Sequence, residues 1–213
     1  MGMVGRSIDW LIGGPRVGGA AEARLGGWLA RPPVDLARAH ERVRCVALDA
    51  DAPAPGQGES RPPALGAVGV HGRRIVVGDA FHAMPPHEAV PDREGTAVVD
   101  AVLGFLEWAG KSPLVIYGDA FAPAPFEHAL TELFGVPIAF DWLDLAVLLP
   151  ALLPGTANAS RADWLAHVGL ADDSDDPAPI RAFGTAQLYL VALAAATAAG
   201  VETPAQLLKL RQG

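Results

Sequence analysis

The stretch that decides the fold is an apolar run ending in two acids, Arg44-Cys45-Val46-Ala47-Leu48-Asp49-Ala50-Asp51. Two further apolar runs follow at residues 64–70 and 73–81, and His71-Gly72-Arg73 forms the turn sequence between them. Short apolar runs bounded by turn residues are typical of strands, and a tight turn joins antiparallel neighbours. The three runs therefore predict an antiparallel meander.

Helical and strand patterns alternate after the meander. The predicted elements are, in order, a helix ending at Gly110, a strand at residues 113–117, a helix at 126–134, a strand at 136–140, a helix at 143–153, a helix capped by Ser160 and a helix from Pro179 to Gly200. A strand meander followed by alternating helices and strands is typical of a mixed sheet covered by helices. The sequence therefore predicts an α/β domain at residues 44–213.

Residues 1–43 differ from the rest and predict a helical N-terminal extension. They contain a Gly-rich start, a helical pattern around Leu25 and Trp28, and a short helix through Ala37 after two prolines. The apolar residues 10–12 are a candidate surface for self-association or for an unknown protein partner.

Composition excludes several classes of protein. The chain has 213 residues, 51% of them hydrophobic, which is enough for a substantial core, and a net charge of −8, which argues against strong nucleic-acid binding. The longest apolar run, residues 188–199, is shorter than the roughly 18 residues that a membrane span needs, so it predicts a buried helix and no membrane partner. The single cysteine, Cys45, lies in an apolar run and predicts an inert buried thiol, and we expect a cytoplasmic protein.

Two groups of residues that could bind metal ions have simpler structural explanations. The acidic stretch at residues 172–176 lacks the Gly and the distal Glu of an EF-hand, so it predicts a solvated loop. His82 and His87 have no Cys or Glu-x-x-His arrangement nearby, so we expect them to be surface loop residues.

Asp49 and Asp51 lie two residues apart, so both carboxylates lie on one face of a strand. With the following Leu65-Gly66-Ala67-Val68 and Arg74-Ile75, this segment resembles the DEDD superfamily of 3′–5′ exonucleases, which includes the epsilon proofreading subunit of bacterial DNA polymerase III. The resemblance extends over about residues 44–200 and implies a ribonuclease-H-like fold. In active members, four carboxylates and a His hold two divalent cations and orient a water.

The chain departs from this family at the remaining site positions. In the second motif, Leu114 to Phe121 align without a gap and the metal-site Asp falls on Ala122, with Asp119 three residues earlier. In the third motif, aligned on Thr185-Ala186, the Asp position is Arg181 and the His position is Asp176. The alignment implies that Asp49 and Asp51 are remnant site acids paired with Arg181, because a guanidinium in that position repels Mg²⁺ and satisfies carboxylates.

These observations predict an exonuclease-like protein that has lost its two-metal site and acts in binding or regulation. No cofactor is expected, and Asp49 and Asp51 hold at most one weak metal ion. One alternative is an active, Mg- or Mn-dependent exonuclease on single-stranded DNA or RNA that uses Asp49, Asp51, Asp119 and Asp176 in a rearranged site. The others are a protein-interaction scaffold whose cleft is sealed by Arg181, and a sensor that binds nucleotides weakly without metal.

Overall fold

The computed structural model describes residues 19–51, 64–83, 91–118, 122–153 and 159–210, with the side chains of residues 91–96 left out. The predictions for residues 10–12, His87 and Asp119 lie outside these ranges. The strands are β1 (Arg44–Ala50), β2 (Leu65–His71), β3 (Arg74–Ala83), β4 (Leu114–Ile116) and β5 (Trp142–Asp144). The α-helices are α1 (Ala20–Leu29), α2 (Pro91–Ala109), α3 (Pro123–Phe134), α4 (Leu145–Leu152), α5 (Arg161–His167), α6 (Ala178–Ala198) and α7 (Pro204–Leu210), and a 3-10 turn covers His40–Arg42.

The strands form one five-stranded mixed sheet in the order β3-β2-β1-β4-β5. The pairs β1–β2 and β2–β3 are antiparallel, whereas β1–β4 and β4–β5 are parallel. The predicted meander and the α/β class are therefore confirmed. Gly72, in the predicted turn between β2 and β3, has φ of 61°, which glycine adopts without strain.

Two local predictions are wrong. The predicted strand at residues 136–140 is absent, and the strand lies instead at Trp142–Asp144, where the sequence predicted the start of a helix. Pro137 cannot donate to a sheet ladder, and the Asp144 side chain accepts from Ala146 N at 2.9 Å, so the helix begins only after Asp144. The short helix predicted through Ala37 is also absent, because the Asp35 side chain accepts from Ala37 N and stabilises a turn.

The sheet has a hydrophobic core on each face. Cys45 and Ala47 of β1 lie on the face that α6 covers, whereas Val46 and Leu48 lie on the opposite face, with α2 and α3. Because side chains alternate along a strand, Asp49 belongs to the α6 face. The side-chain alternation of β1 therefore places an acid directly beneath a helix.

The described part of the N-terminal extension packs on the domain through α1. Arg24 forms a two-pronged contact with Glu107 of α2, at 2.9 and 2.8 Å, and the buried Trp28 indole donates to Gly110 O at 2.7 Å. The extension is thus continuous with the core at this point.

Helix α6 has the length and apolar composition to cross a membrane, and it alone does so in the part of the chain that the structure describes. Half of its most apolar 18-residue window is buried. Its buried residues pack on the sheet with β1 and β2, as expected of the core helix of a folded domain.

Cys45 is buried, and its Sγ lies 3.2 Å from the Tyr189 hydroxyl. Burial raises the pKa of its thiol to about 11, so the reactive thiolate is scarce near neutral pH. We expect the native protein not to react with a thiol reagent near pH 8, whereas the chain unfolded in urea titrates as one thiol. Rapid labelling of the native protein would contradict this placement of Cys45.

Asp79 anchors the irregular middle of β3. Arg44 donates to both of its carboxylate oxygens, at 2.7 and 3.0 Å, and His71 Nε2 lies 2.6 Å from Oδ2. The Arg44 guanidinium also lies 4.6 Å from the centre of the Trp108 ring. The hydrogen bond from Arg44 is the main reason that the pKa of Asp79 is lowered to about 2.

A carboxyl with a lowered pKa stabilises the folded state above its unfolded pKa and loses that contribution as the pH falls through its folded pKa. We therefore expect Asp79→Asn to lower the free energy of unfolding by about 2 kcal/mol near pH 7 and by far less near pH 2. Urea unfolding at the two pH values measures this difference. Glu132→Gln, at an exposed position on α3, is the control, and an equal loss for Asp79→Asn at both pH values would contradict the prediction.

Candidate functional site

The two sequence-predicted acids lie where β1 ends, beneath the first turns of α6. Asp49 is 3% exposed, and Asp51 follows the strand with its side chain 34% exposed. Asp49 pairs with Gly66 of β2 across the antiparallel ladder. Arg181 extends from α6 toward both acids.

Arg181 bridges Asp49 and Asp51, as the alignment predicted. Its Nε and Nη2 donate to Asp49 Oδ1 at 3.2 and 2.8 Å, and its Nη1 donates to Asp51 Oδ1 at 3.0 Å. Two main-chain oxygens complete the set, with Ala50 O at 2.8 Å and Asp176 O at 2.6 Å. A guanidinium has five N–H groups, so each of them has an acceptor here.

Asp51 also caps helix α6 from a distant part of the chain. Its Oδ1 accepts from Ala178 N at 2.8 Å, and the N-cap residue, Pro177, provides no side-chain cap. A carboxylate at a helix N-terminus is favourable because it satisfies a free N–H and complements the helix dipole. Asp51 therefore has a structural role at the start of α6.

Gly66 lets the first turn of α6 lie directly on β2. A Cβ at this position would lie 2.5 Å from Pro179 Cα, and closer still to Pro179 N and Ala178 C. All three atoms belong to backbone, so no side-chain rotation relieves the overlap. The space above the Asp49–Gly66 pair is therefore filled by the helix itself.

A second buried ion pair supports Arg181 from behind. Arg161 of α5 contacts both carboxylate oxygens of Asp173, and its Nη2 donates to Arg181 O at 2.6 Å. Both side chains are only 10% exposed. A Cβ at Gly184 of α6 would lie 2.8 Å from Arg161 Nη2, so this glycine makes room for the pair.

The sequence interpretation missed this second pair. It assigned residues 172–176 to a solvated loop, which is wrong for Asp173, whereas Asp172, Asp175 and Asp176 are exposed. A glycine within an otherwise continuous helical pattern, Gly184, was the signal for a close contact there.

Burial and ion pairing act in opposite directions on the buried acid. Burial raises the pKa of Asp49 above its ordinary value, and the Arg181 contact offsets only part of that rise. Burial alone would lower the pKa of Arg181, but its contacts with Asp49 and Asp51 outweigh burial and raise it. The guanidinium stays charged, and the Asp49 carboxylate depends on it for compensation.

Among the described residues, the other predicted site positions, Ala122 and Asp176, bring no ligand to this place. Ala122 is the N-cap residue of α3 and has only a methyl side chain. Asp176 contacts Arg181 through its carbonyl oxygen, and its carboxylate is not in that contact. His82 is exposed, as expected, but it lies in strand β3 and not in a loop. Within the described ranges no three His, Cys, Asp or Glu side chains form a group that could hold a metal ion.

These donors do not fit a two-metal centre. Among the described residues two carboxylates lie here, whereas an active DEDD exonuclease has four, and each of the two directs an oxygen at the same guanidinium. A divalent cation about 4 Å from that guanidinium would meet a repulsion of roughly 4 kcal/mol per unit of its charge. The ion pairs of Arg181 with Asp49 and Asp51 hold the start of α6 against the end of β1.

No family model matches the chain, and no curated protein is significantly similar to it.

Proposed function

We propose that this chain is an exonuclease-like protein with a ribonuclease-H-like fold, whose two-metal site has degenerated and which acts by binding or regulation. The strand order β3-β2-β1-β4-β5, with β1–β2–β3 antiparallel and β1–β4–β5 parallel, is compatible with that fold. Asp49 and Asp51 stand at the end of the central strand, where the family places its first-motif acids. We further propose that the protein is cytoplasmic.

The observation that carries the proposal is the contact of Arg181 with both acids. Two-metal phosphodiester cleavage needs cations that stabilise the attacking and leaving oxygens, together with a base that orients a water. Here the first-motif acids are engaged by a fixed organic cation. In the alignment, Ala122 and Arg181 stand at the positions of the two other acids, and Asp176 stands at the position of the His. If each of the three lost groups costs about 3 kcal/mol, the barrier rises by about 9 kcal/mol, more than a million-fold in rate.

The test combines metal binding with nuclease activity in the same buffers. We expect calorimetric titration with Mg²⁺ and Mn²⁺ to give no binding heat above dilution, and single-stranded DNA and RNA to remain intact. Single-stranded DNA should bind weakly or not at all in a fluorescence anisotropy titration, because the net charge is −8.

Metal-dependent degradation that disappears in the Asp49→Asn variant would overturn the proposal and establish the rearranged exonuclease. Weak nucleotide binding without metal would instead favour a sensor of nucleotides. Asp163→Asn is the control, because Asp163 is an exposed carboxyl whose hydrogen bonds go to Ser160 at the start of α5.

A further inference from the structure

Two exposed apolar pairs lie toward opposite ends of β3, which forms one edge of the sheet among the described strands. Val76 and Val77 lie in the first half of β3 and are 39% and 74% exposed. Ile180 and Phe183 lie on the first turns of α6 and are 51% and 37% exposed. Exposed large apolar side chains that cluster in this way are typical of interaction surfaces.

The valine pair lies beside exposed arginines. Arg74 begins β3, and Arg42 lies in the turn next to the β2–β3 hairpin, since a Cβ on Gly72 would lie 2.9 Å from Glu41 Cα. Neither arginine has an acidic partner among the described residues. We call Arg42, Arg74, Val76 and Val77 the basic edge patch.

The acidic groups next to the basic edge patch are already engaged. Glu41 lies 3.3 Å from Arg73 Nε, and Asp79 is held by Arg44 and His71. These pairs leave the charge of Arg42 and Arg74 uncompensated within the described part of the chain.

The second apolar pair lies beside exposed acids. Asp175 and Asp176 immediately precede α6, and their carboxylates have no cationic partner among the residues that the structure describes. We call Asp175, Asp176, Ile180 and Phe183 the acidic edge patch.

The acidic edge patch lies near the carboxyl end of β3. The start of α6 packs on Gly66, and Gly66 pairs with His82 of β3. Because Arg74 is the first residue of the same strand, the two edge patches stand toward opposite ends of one edge.

We propose that two copies of this chain associate along the β3 edge, with the basic edge patch of each copy against the acidic edge patch of the other. A two-fold axis near the middle of β3 makes the two β3 edges run in opposite directions. The same contact then forms twice, and the assembly closes as a dimer. Opposite charge and an apolar pair on both sides make each patch complementary to the other.

The contact is made by side chains rather than by a continued sheet. Ile75 pairs with Val70 and Ala80 pairs with Val68, so residues 76–79 leave the ladder between them. A bulge of this kind interrupts the row of backbone donors and acceptors that strand-to-strand pairing needs. Because valines lie beside the arginines, the basic edge patch fits an acidic and apolar protein surface better than a phosphate backbone. The acidic edge patch of a second copy is such a surface.

The first experiment is sedimentation velocity on the full chain over a range of concentrations and at two ionic strengths. We expect a monomer–dimer equilibrium whose dissociation constant rises about tenfold or more between roughly 0.05 and 0.5 M salt, because the charges face each other across solvent. A monomer at every concentration, or an association that salt strengthens, overturns the proposal.

Charge reversal identifies the surfaces. Arg42→Glu/Arg74→Glu and Asp175→Lys/Asp176→Lys should each weaken self-association at least about tenfold, because each places like charges together twice. An equimolar mixture of the two variants should regain the dimer, because both contacts are then complementary. Loss without recovery in the mixture, with both variants folded by circular dichroism, overturns the two-fold arrangement.

The apolar part has a matched control within the chain. Val77→Ser should weaken the dimer severalfold, whereas Val147→Ser, at a 39% exposed valine on α4 outside both patches, should leave it unchanged. Equal effects of the two substitutions would mean that the valines of β3 are not in the contact.

Discussion

Replacing Gly66 by alanine is expected to lower the free energy of unfolding by at least about 3 kcal/mol, or to prevent folding. The added methyl group would overlap backbone atoms of Ala178 and Pro179, one of them at 2.5 Å. Relief requires α6 to lift from β2, which also stretches the Arg181 contacts with Asp49 and Asp51. Urea unfolding followed by circular dichroism measures the loss.

Gly78→Ala is the matched control, because it makes the same change in β3 where no heavy atom lies within 4 Å of the added Cβ. It should alter stability by no more than about 0.5 kcal/mol. If Gly66→Ala were as mild as Gly78→Ala, α6 would not rest on β2 as described, and the closed arrangement above Asp49 would be wrong.

Arg181→Met is expected to lower the free energy of unfolding by about 3–5 kcal/mol near pH 7. Methionine keeps much of the length of the side chain but leaves the Asp49 carboxylate buried without compensating charge. Arg24→Met is the control, since Arg24 also forms a two-pronged contact with an acid, Glu107, but both side chains are about a third exposed, and it should cost no more than about 1 kcal/mol.

The pH dependence of Arg181→Met separates the loss of charge compensation from the loss of packing. Burial already raises the pKa of Asp49, and removing Arg181 raises it further. Between the unfolded and the folded pKa of such a carboxyl, the folded state binds more protons than the unfolded state. Its stability therefore falls as the pH rises through this range. The loss in free energy of unfolding that Arg181→Met causes should therefore become smaller as the pH is lowered toward the unfolded pKa of aspartate.

Neutralising the acids should rescue the Arg181→Met variant. Arg181→Met/Asp49→Asn/Asp51→Asn keeps similar volumes and leaves no buried charge without a partner, and it should recover most of the lost stability. An asparagine at position 51 still offers an oxygen to Ala178 N. If the triple variant is no more stable than Arg181→Met, the contribution of Arg181 is packing and not compensation of charge.

A few residues allowed the site to be predicted from the sequence. The apolar run before Asp49 was enough to place both acids at the end of a strand. The spacing of Asp49 and Asp51 put them on one face, because the side-chain period of a strand is two. The position of Arg181 in the third-motif alignment was enough to predict its contact with them. By contrast, residues 136–140 looked like a strand although Pro137 cannot donate to a sheet ladder. Only the structure shows that the Asp144 cap starts the helix after a strand at Trp142–Asp144.

By itself, the amino-acid sequence determined the meander, the class of the sheet and the acid pair, because these follow from local apolar patterns and turn residues. Only the tertiary structure decided that Arg181 satisfies all five of its N–H groups, that Gly66 carries the start of α6, and that Arg161 and Asp173 form a buried pair behind it. The Ala178 amide and the Asp51 carboxylate that accepts its hydrogen bond are 127 residues apart in the chain. Contacts of this kind depend on how a helix docks on a sheet, which is the sum of many small packing terms and leaves no periodic trace in the sequence.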